Sequence, residues 1–122
     1  MEQKKRILII DDDVALQTVL EIALRESGYE VIIANDGEEG IEKVATVQPN
    51  LIISDIMMPQ MDGVEAFMRV KEHLQDNGIP ILIMTALNRK PWFAILEAEG
   101  AVILHKPFEI DKLMHMIHDM LL

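Results

Sequence analysis

The chain has 122 residues, enough for one domain that buries roughly two thirds of the surface its unfolded form would expose. It contains no cysteine, which excludes disulfides, thiolate metal sites and cysteine nucleophiles and suits a reducing cytoplasm. Eleven basic against twenty-one acidic residues leave a formal charge of -10, which opposes nucleic-acid binding through phosphate neutralisation and favours a cation or a basic partner.

The opening MEQKKR is basic, but only four apolar residues follow before Asp11, far short of a signal-peptide core or a membrane span. No membrane association is expected. Those four residues, Ile7 to Ile10, read as a first strand, and Leu16, Val19, Leu20, Ala23 and Leu24 form a helical stripe closed by Gly28. Glu30 to Ala34 is a second strand, Asn35-Asp36-Gly37 a turn, and Ile41, Val44 and Ala45 the buried side of a short helix stopped at Pro49-Asn50. Leu51 to Ser54 is a third strand. After a loop with Pro59 and Asp62-Gly63 comes a helix with Val64, Phe67, Met68 and Leu74 inward, closed at Asn77-Gly78. Pro80 to Met84 is a fourth strand, Pro91 opens a fourth helix at a position that tolerates proline, and Gly100 ends it. Val102 to His105 is the fifth strand, and Ile110, Leu113, Met114, Ile117 and Leu121 give the last helix one apolar face.

Five alternations of strand and helix, without repeats or linkers, make residues 1–122 a single α/β unit. The apolar runs do not alternate with polar residues, so they belong to a parallel sheet covered on both faces, where ligands bind beyond the carboxyl ends of the strands. Four runs end in a residue suited to a phosphoryl group: ILII before Asp11, LIIS before Asp55, ILIM before Thr85 and VILH before Lys106. Asp13, just before the helical stripe, is read as a helix cap. Asp11 and Asp12 are read as hard oxygen ligands for Mg²⁺, which prefers one or two carboxylates with water and phosphate oxygens. The glycines never take the spacing of a dinucleotide-binding loop. His115 and His118 lie off the apolar stripe with no third ligand evident, so they are read as surface residues.

The run Asp55-Ile56-Met57-Met58-Pro59-Gln60-Met61-Asp62-Gly63 resembles the phosphoacceptor segment of response-regulator receiver domains. The resemblance extends along the chain, through the acidic pair after strand one, Thr85-Ala86 after strand four and Lys106-Pro107-Phe108 after strand five. It implies a flavodoxin-like doubly wound (βα)5 fold with strand order 2-1-3-4-5. It also implies that Asp55 accepts phosphate as a nucleophile, that Asp12 holds Mg²⁺ directly and Asp11 through water, and that the Met57 carbonyl adds an oxygen. Unlike charges about 4 Å apart attract by roughly 4 kcal/mol at an effective dielectric near 20, and like charges repel equally, so clustered carboxylates favour a divalent cation. By the same resemblance Lys106 pairs with Asp55 and then with the phosphoryl oxygen, a cis bond precedes Pro107, and Thr85 supplies a hydroxyl that moves to the phosphoryl group on activation.

The pattern breaks at Ile103, three residues before Lys106, where receivers usually carry an aromatic switch residue. Trp92 and Phe93 either compensate for it or belong to the core. Met57 and Leu87 place apolar bulk where a hydrolytic water would approach, so slow self-hydrolysis is expected. The resemblance implies a cytoplasmic signalling domain, not an enzyme acting on an external substrate, which is phosphorylated by a histidine kinase or phosphotransfer protein. Its fourth helix, fifth strand and fifth helix would meet a downstream effector or a second copy. A pseudo-receiver that signals by contacts alone is the alternative, favoured by Ile103 and opposed by the intact set Asp11, Asp12, Asp55, Thr85 and Lys106.

Overall fold

The computed structural model describes residues 4–56 and 63–122. Strands β1 (Arg6–Ile10), β2 (Glu30–Ala34), β3 (Leu51–Asp55), β4 (Ile81–Thr85) and β5 (Ala101–His105) alternate with helices α1 (Val14–Glu26), α2 (Gly37–Val47), α3 (Gly63–Asn77), α4 (Phe93–Ala98) and α5 (Ile110–Met120). All four strand pairings are parallel, and the sheet order is β2-β1-β3-β4-β5, as the resemblance implied. The fold is flavodoxin-like.

Alternate residues of each strand face opposite helical layers. Ile7 and Ile9 of β1 pack with Leu20 and Leu24 of α1 and Leu113 and Ile117 of α5. Leu8 and Ile10 face Val44 of α2, Phe67 and Leu74 of α3, and Phe93 and Leu96 of α4. Burial on both sides explains why the strands read as continuous apolar runs; each such side chain contributes about 1.5–3 kcal/mol when taken from water. Helix α2 approaches β1 through Gly40, where an added Cβ would lie 2.6 Å from Ile10 Cδ1. Because β1 sits between β2 and β3, the chain direction of winding reverses there, opening a crevice at the carboxyl ends of β1 and β3.

The structure corrects several local expectations. Asp55 closes β3 instead of following it, because the next N–H, that of Ile56, still reaches the Met84 carbonyl at 3.2 Å. Thr85 likewise ends β4, and Ala101 opens β5. Gly37 begins α2, with Asp36 accepting the Glu39 N–H as its cap, so the expected turn is a helix start. Ala45 and Met68 are exposed, since Gly40 and Val44, and Phe67 and Leu74, already define the buried stripes of α2 and α3. Helix α4 starts at Phe93, not Pro91. The N–H groups of Phe93, Ala94 and Ile95 each bond a carbonyl three residues back, a tighter turn that precedes the helix and drives Phe93 into the core. Among the described residues, no helix is long and apolar enough to cross a membrane.

Candidate functional site

The crevice collects side chains from the ends of β1, β3, β4 and β5. The Asp11 N–H bonds the Ala34 carbonyl at 3.1 Å, carrying the β1–β2 ladder one residue past the strand and fixing the acidic pair. Asp11 is fully enclosed, whereas Asp12 is exposed. Asp11 Oδ1 accepts the Asp13 N–H at 2.8 Å, while Oδ2 is buried without a hydrogen-bond partner among the described residues. Burial pushes the Asp11 carboxyl above its ordinary range; the Asp13 N–H opposes this, and the Asp55 carboxylate adds to it. Asp13 caps α1 by accepting the Leu16 N–H at 3.1 Å, as its position before the stripe predicts.

Asp55 offers its two carboxylate oxygens to different partners. Oδ1 accepts the Ile56 N–H at 2.7 Å, and Oδ2 faces the Lys106 ammonium at 3.3 Å. Their side chains are 13% and 24% exposed, so the pair is sheltered yet open to a reactant. Carboxylate oxygens of Asp11, Asp12 and Asp55 all lie within 4.8 Å of one another. Three hard oxygens at that spacing, beside a buried Asp11 Oδ2 that has no hydrogen-bond partner among the described residues, match the donor set of a Mg²⁺-sized cation. Met57, expected to add a carbonyl ligand, lies outside the described residues.

Thr85 is fully buried; its Oγ accepts the Leu87 N–H at 3.0 Å, which leaves the hydroxyl proton to be donated. It stands one residue beyond Met84, the ladder partner of Asp55. The Lys106 N–H donates to the Thr85 carbonyl at 2.7 Å, and the Lys106–Pro107 peptide is cis, as expected. Every expected side chain of the set Asp11, Asp12, Asp55, Thr85 and Lys106 therefore stands at the same end of the sheet.

Away from this centre, Ile103 is half-buried against the layer of α2, α3 and α4. Of the two open aromatic positions, Phe93 is core, and Trp92 is half-buried beside a groove of about 520 Å³ lined by Ile56, Val64, Met68 and Ile95. His115 and His118 are exposed, and among the described residues the acidic trio is the one cluster of metal-ligating type. Gln17 escaped the sequence reading. Its amide donates to the Asp11 carbonyl and, at 3.0 Å, to Asn35 Oδ1, so it braces the acidic turn against the end of β2. The signal was present: Gln17 lies three and seven residues before Leu20 and Leu24, on the buried stripe of α1, where a polar residue needs a partner.

The chain matches the model of the response regulator receiver domain over residues 7–118. It is 38% identical over 117 residues to response regulator MprA of Mycobacterium leprae, an alignment covering 95% of this chain and 50% of that protein. The chain spans between about a quarter and a half of the length of the curated relatives it matches. Among solved structures, a CheY-like response regulator receiver domain protein from Methanospirillum hungatei superposes with a TM-score of 0.89 at 31% identity, covering 98% of this chain and 94% of that one. Response regulator TrrA of Thermotoga maritima, solved in complex with Mg²⁺ and BeF, gives 0.81 at 30% identity, covering 95% and 98%.

Proposed function

The chain belongs to the response regulator receiver domain family, signalling modules of two-component systems, and from that membership we propose that residues 1–122 form one receiver domain phosphorylated on Asp55. The observation that carries the reading is the meeting of Asp55 with Lys106 at 3.3 Å on one side and with the Asp11 and Asp12 carboxylates on the other. A carboxylate so placed is held in position by the Ile56 N–H and is oriented for attack on phosphorus.

In the proposed transfer, an Asp55 carboxylate oxygen forms a bond to phosphorus as the bond from phosphorus to the donor's imidazole nitrogen breaks, and the imidazole leaves with the electron pair. Lys106 stabilises charge on a phosphoryl oxygen after releasing Asp55 Oδ2, and Thr85 donates its hydroxyl to another. Asp11, Asp12 and Asp55, with the Met57 carbonyl, would hold Mg²⁺, whose positive charge supplies electrostatic stabilisation to the transferring group. The Mg²⁺ bound to the Thermotoga relative supports that choice of cation. The donor is a histidine kinase or phosphotransfer protein, the setting is cytoplasmic, and the domain consumes no external substrate as its main role. Output passes through the face of α4, β5 and α5 to an effector or to a second copy, without direct nucleic-acid binding by this acidic domain. The pseudo-receiver alternative draws no support from the relatives.

Incubation of the purified chain with acetyl phosphate and Mg²⁺, read by intact mass, tests the reading. One phosphoryl group is expected on the wild type and none on Asp55→Asn. An unchanged wild-type mass overturns it.

A further inference from the structure

We propose that His105 is the positioning residue that links the phosphorylation centre to the first turn of α4. This rests on the reading of Asp55 as phosphoacceptor. Two residues of the site are fastened to His105 directly: Lys106 follows it through a peptide bond, and Thr85 is its ladder partner on β4. The Lys106 N–H also donates to the Thr85 carbonyl at 2.7 Å, closing the link between them. Any shift of the Lys106 main chain, as its ammonium leaves Asp55 for a phosphoryl oxygen, is therefore delivered to His105.

Side chains alternate along a strand, so His105 shares the face of Ile103, which packs toward α4. Ile103 is aliphatic and meets that layer as ordinary core. His105 instead brings a ring, tilted by 43° with its centroid 5.9 Å from that of Phe93. Phe93 opens α4 and is wholly buried, so it cannot yield by turning into solvent. Trp92 also meets Phe93, edge to face at 4.7 Å and 81°, and the Arg89 guanidinium lies over the Phe93 ring at 5.9 Å. Three rings thus run in contact from the end of β5 to the groove beside α4, where Trp92 and Ile95 reach the surface. Arg89 also hydrogen-bonds Glu97 of α4.

The connection carries information only if the ring is needed, which separates it from simple filling of space. Trp92 is the chain's one tryptophan, so its emission reports this end of α4 without labelling. The full chain is treated with acetyl phosphate and Mg²⁺, and intact mass and Trp92 emission are read on the same sample, for the wild type, His105→Ala and His105→Phe. The wild type is expected to gain one phosphoryl group together with a change in emission. His105→Ala should gain the group but lose at least four fifths of the emission change, and His105→Phe, which keeps a ring, should recover it. If His105→Ala does not fold by urea titration, His105→Leu, which keeps bulk without aromaticity, should show the same loss. A phosphorylated His105→Ala or His105→Leu that retains more than a fifth of the wild-type change overturns the proposal, as does a phosphorylated His105→Phe that fails to recover it or a wild type that gains mass with silent Trp92. A wild type that gains no mass overturns the phosphoacceptor reading and this one with it.

Discussion

Replacing Asp11 by Asn should stabilise the metal-free protein while removing its response to Mg²⁺. Asp11 is fully enclosed, with Oδ1 held by the Asp13 N–H and Oδ2 unpartnered among the described residues. A buried polar group left unsatisfied costs about 1–3 kcal/mol, and more when charged. Asparagine keeps the Oδ1 acceptor, puts a neutral amide in place of Oδ2, and removes repulsion from Asp55 and Asp12. The variant should gain about 1–3 kcal/mol at pH 7 in EDTA; at roughly 4 °C per kcal/mol for a domain of this size, its melting temperature should rise by about 4–12 °C. The sign with pH follows from linkage. Because burial raises the Asp11 carboxyl above its ordinary value of 3.8, the folded state binds that proton more tightly than the unfolded state. Wild-type stability from this group is therefore fully present below 3.8 and is lost as pH rises through the raised folded value, so the gap between variant and wild type should close on acidification. Urea unfolding from pH 3.5 to pH 7 checks both parts. A variant less stable than wild type at pH 7 without metal, or a gap that persists unchanged in acid, would refute the reasoning.

Saturating Mg²⁺ at about 100 times its Kd should add about 2.7 kcal/mol to the wild type and little to Asp12→Asn; equal thermal shifts in both would place the ion elsewhere. Lys106→Ala removes the cation facing Asp55 and should cost about 1–2 kcal/mol in urea while slowing phosphorylation by acetyl phosphate, so an unchanged midpoint and rate would count against its role. Gly40→Ala should lose about 1–2 kcal/mol despite alanine's better helix propensity, because the new Cβ meets Ile10 at 2.6 Å; adding Ile10→Val, which deletes the nearest atom, should return part of that loss, and strictly additive effects would show that the contact does not matter. A polar residue in place of Met57 should speed loss of labelled phosphate, and wild-type loss within seconds would contradict the expected slow hydrolysis.

Strands were legible because runs such as Ile7 to Ile10 are buried on both faces, a demand that only a covered parallel sheet makes. Their carboxyl ends were less legible, since ladder hydrogen bonds continue through polar residues: Asp55 and Thr85 remain paired although hydropathy has already changed sign. Asp13 was readable as a cap from position alone, whereas Pro91 misled because the tight turn that buries Phe93 belongs to tertiary packing. The separate residues of the site were visible as strand-end chemistry, but their joint geometry was not. No local pattern shows that the Lys106 ammonium crosses to Asp55, or that Asp11 alone of the acidic pair is enclosed.

Helix α4 is only six residues, so its axis runs about 9 Å. Its far end is moored, because Glu99, just past the last helical residue, accepts from Lys71 at 3.2 Å and from Gln75 at 3.0 Å, both on α3. A rod fixed at one end responds to a push at the other by swinging, and a 1 Å displacement at Phe93 turns one of that length by roughly 6°. The signal such a lever delivers is an angle, presented through Trp92 and Ile95.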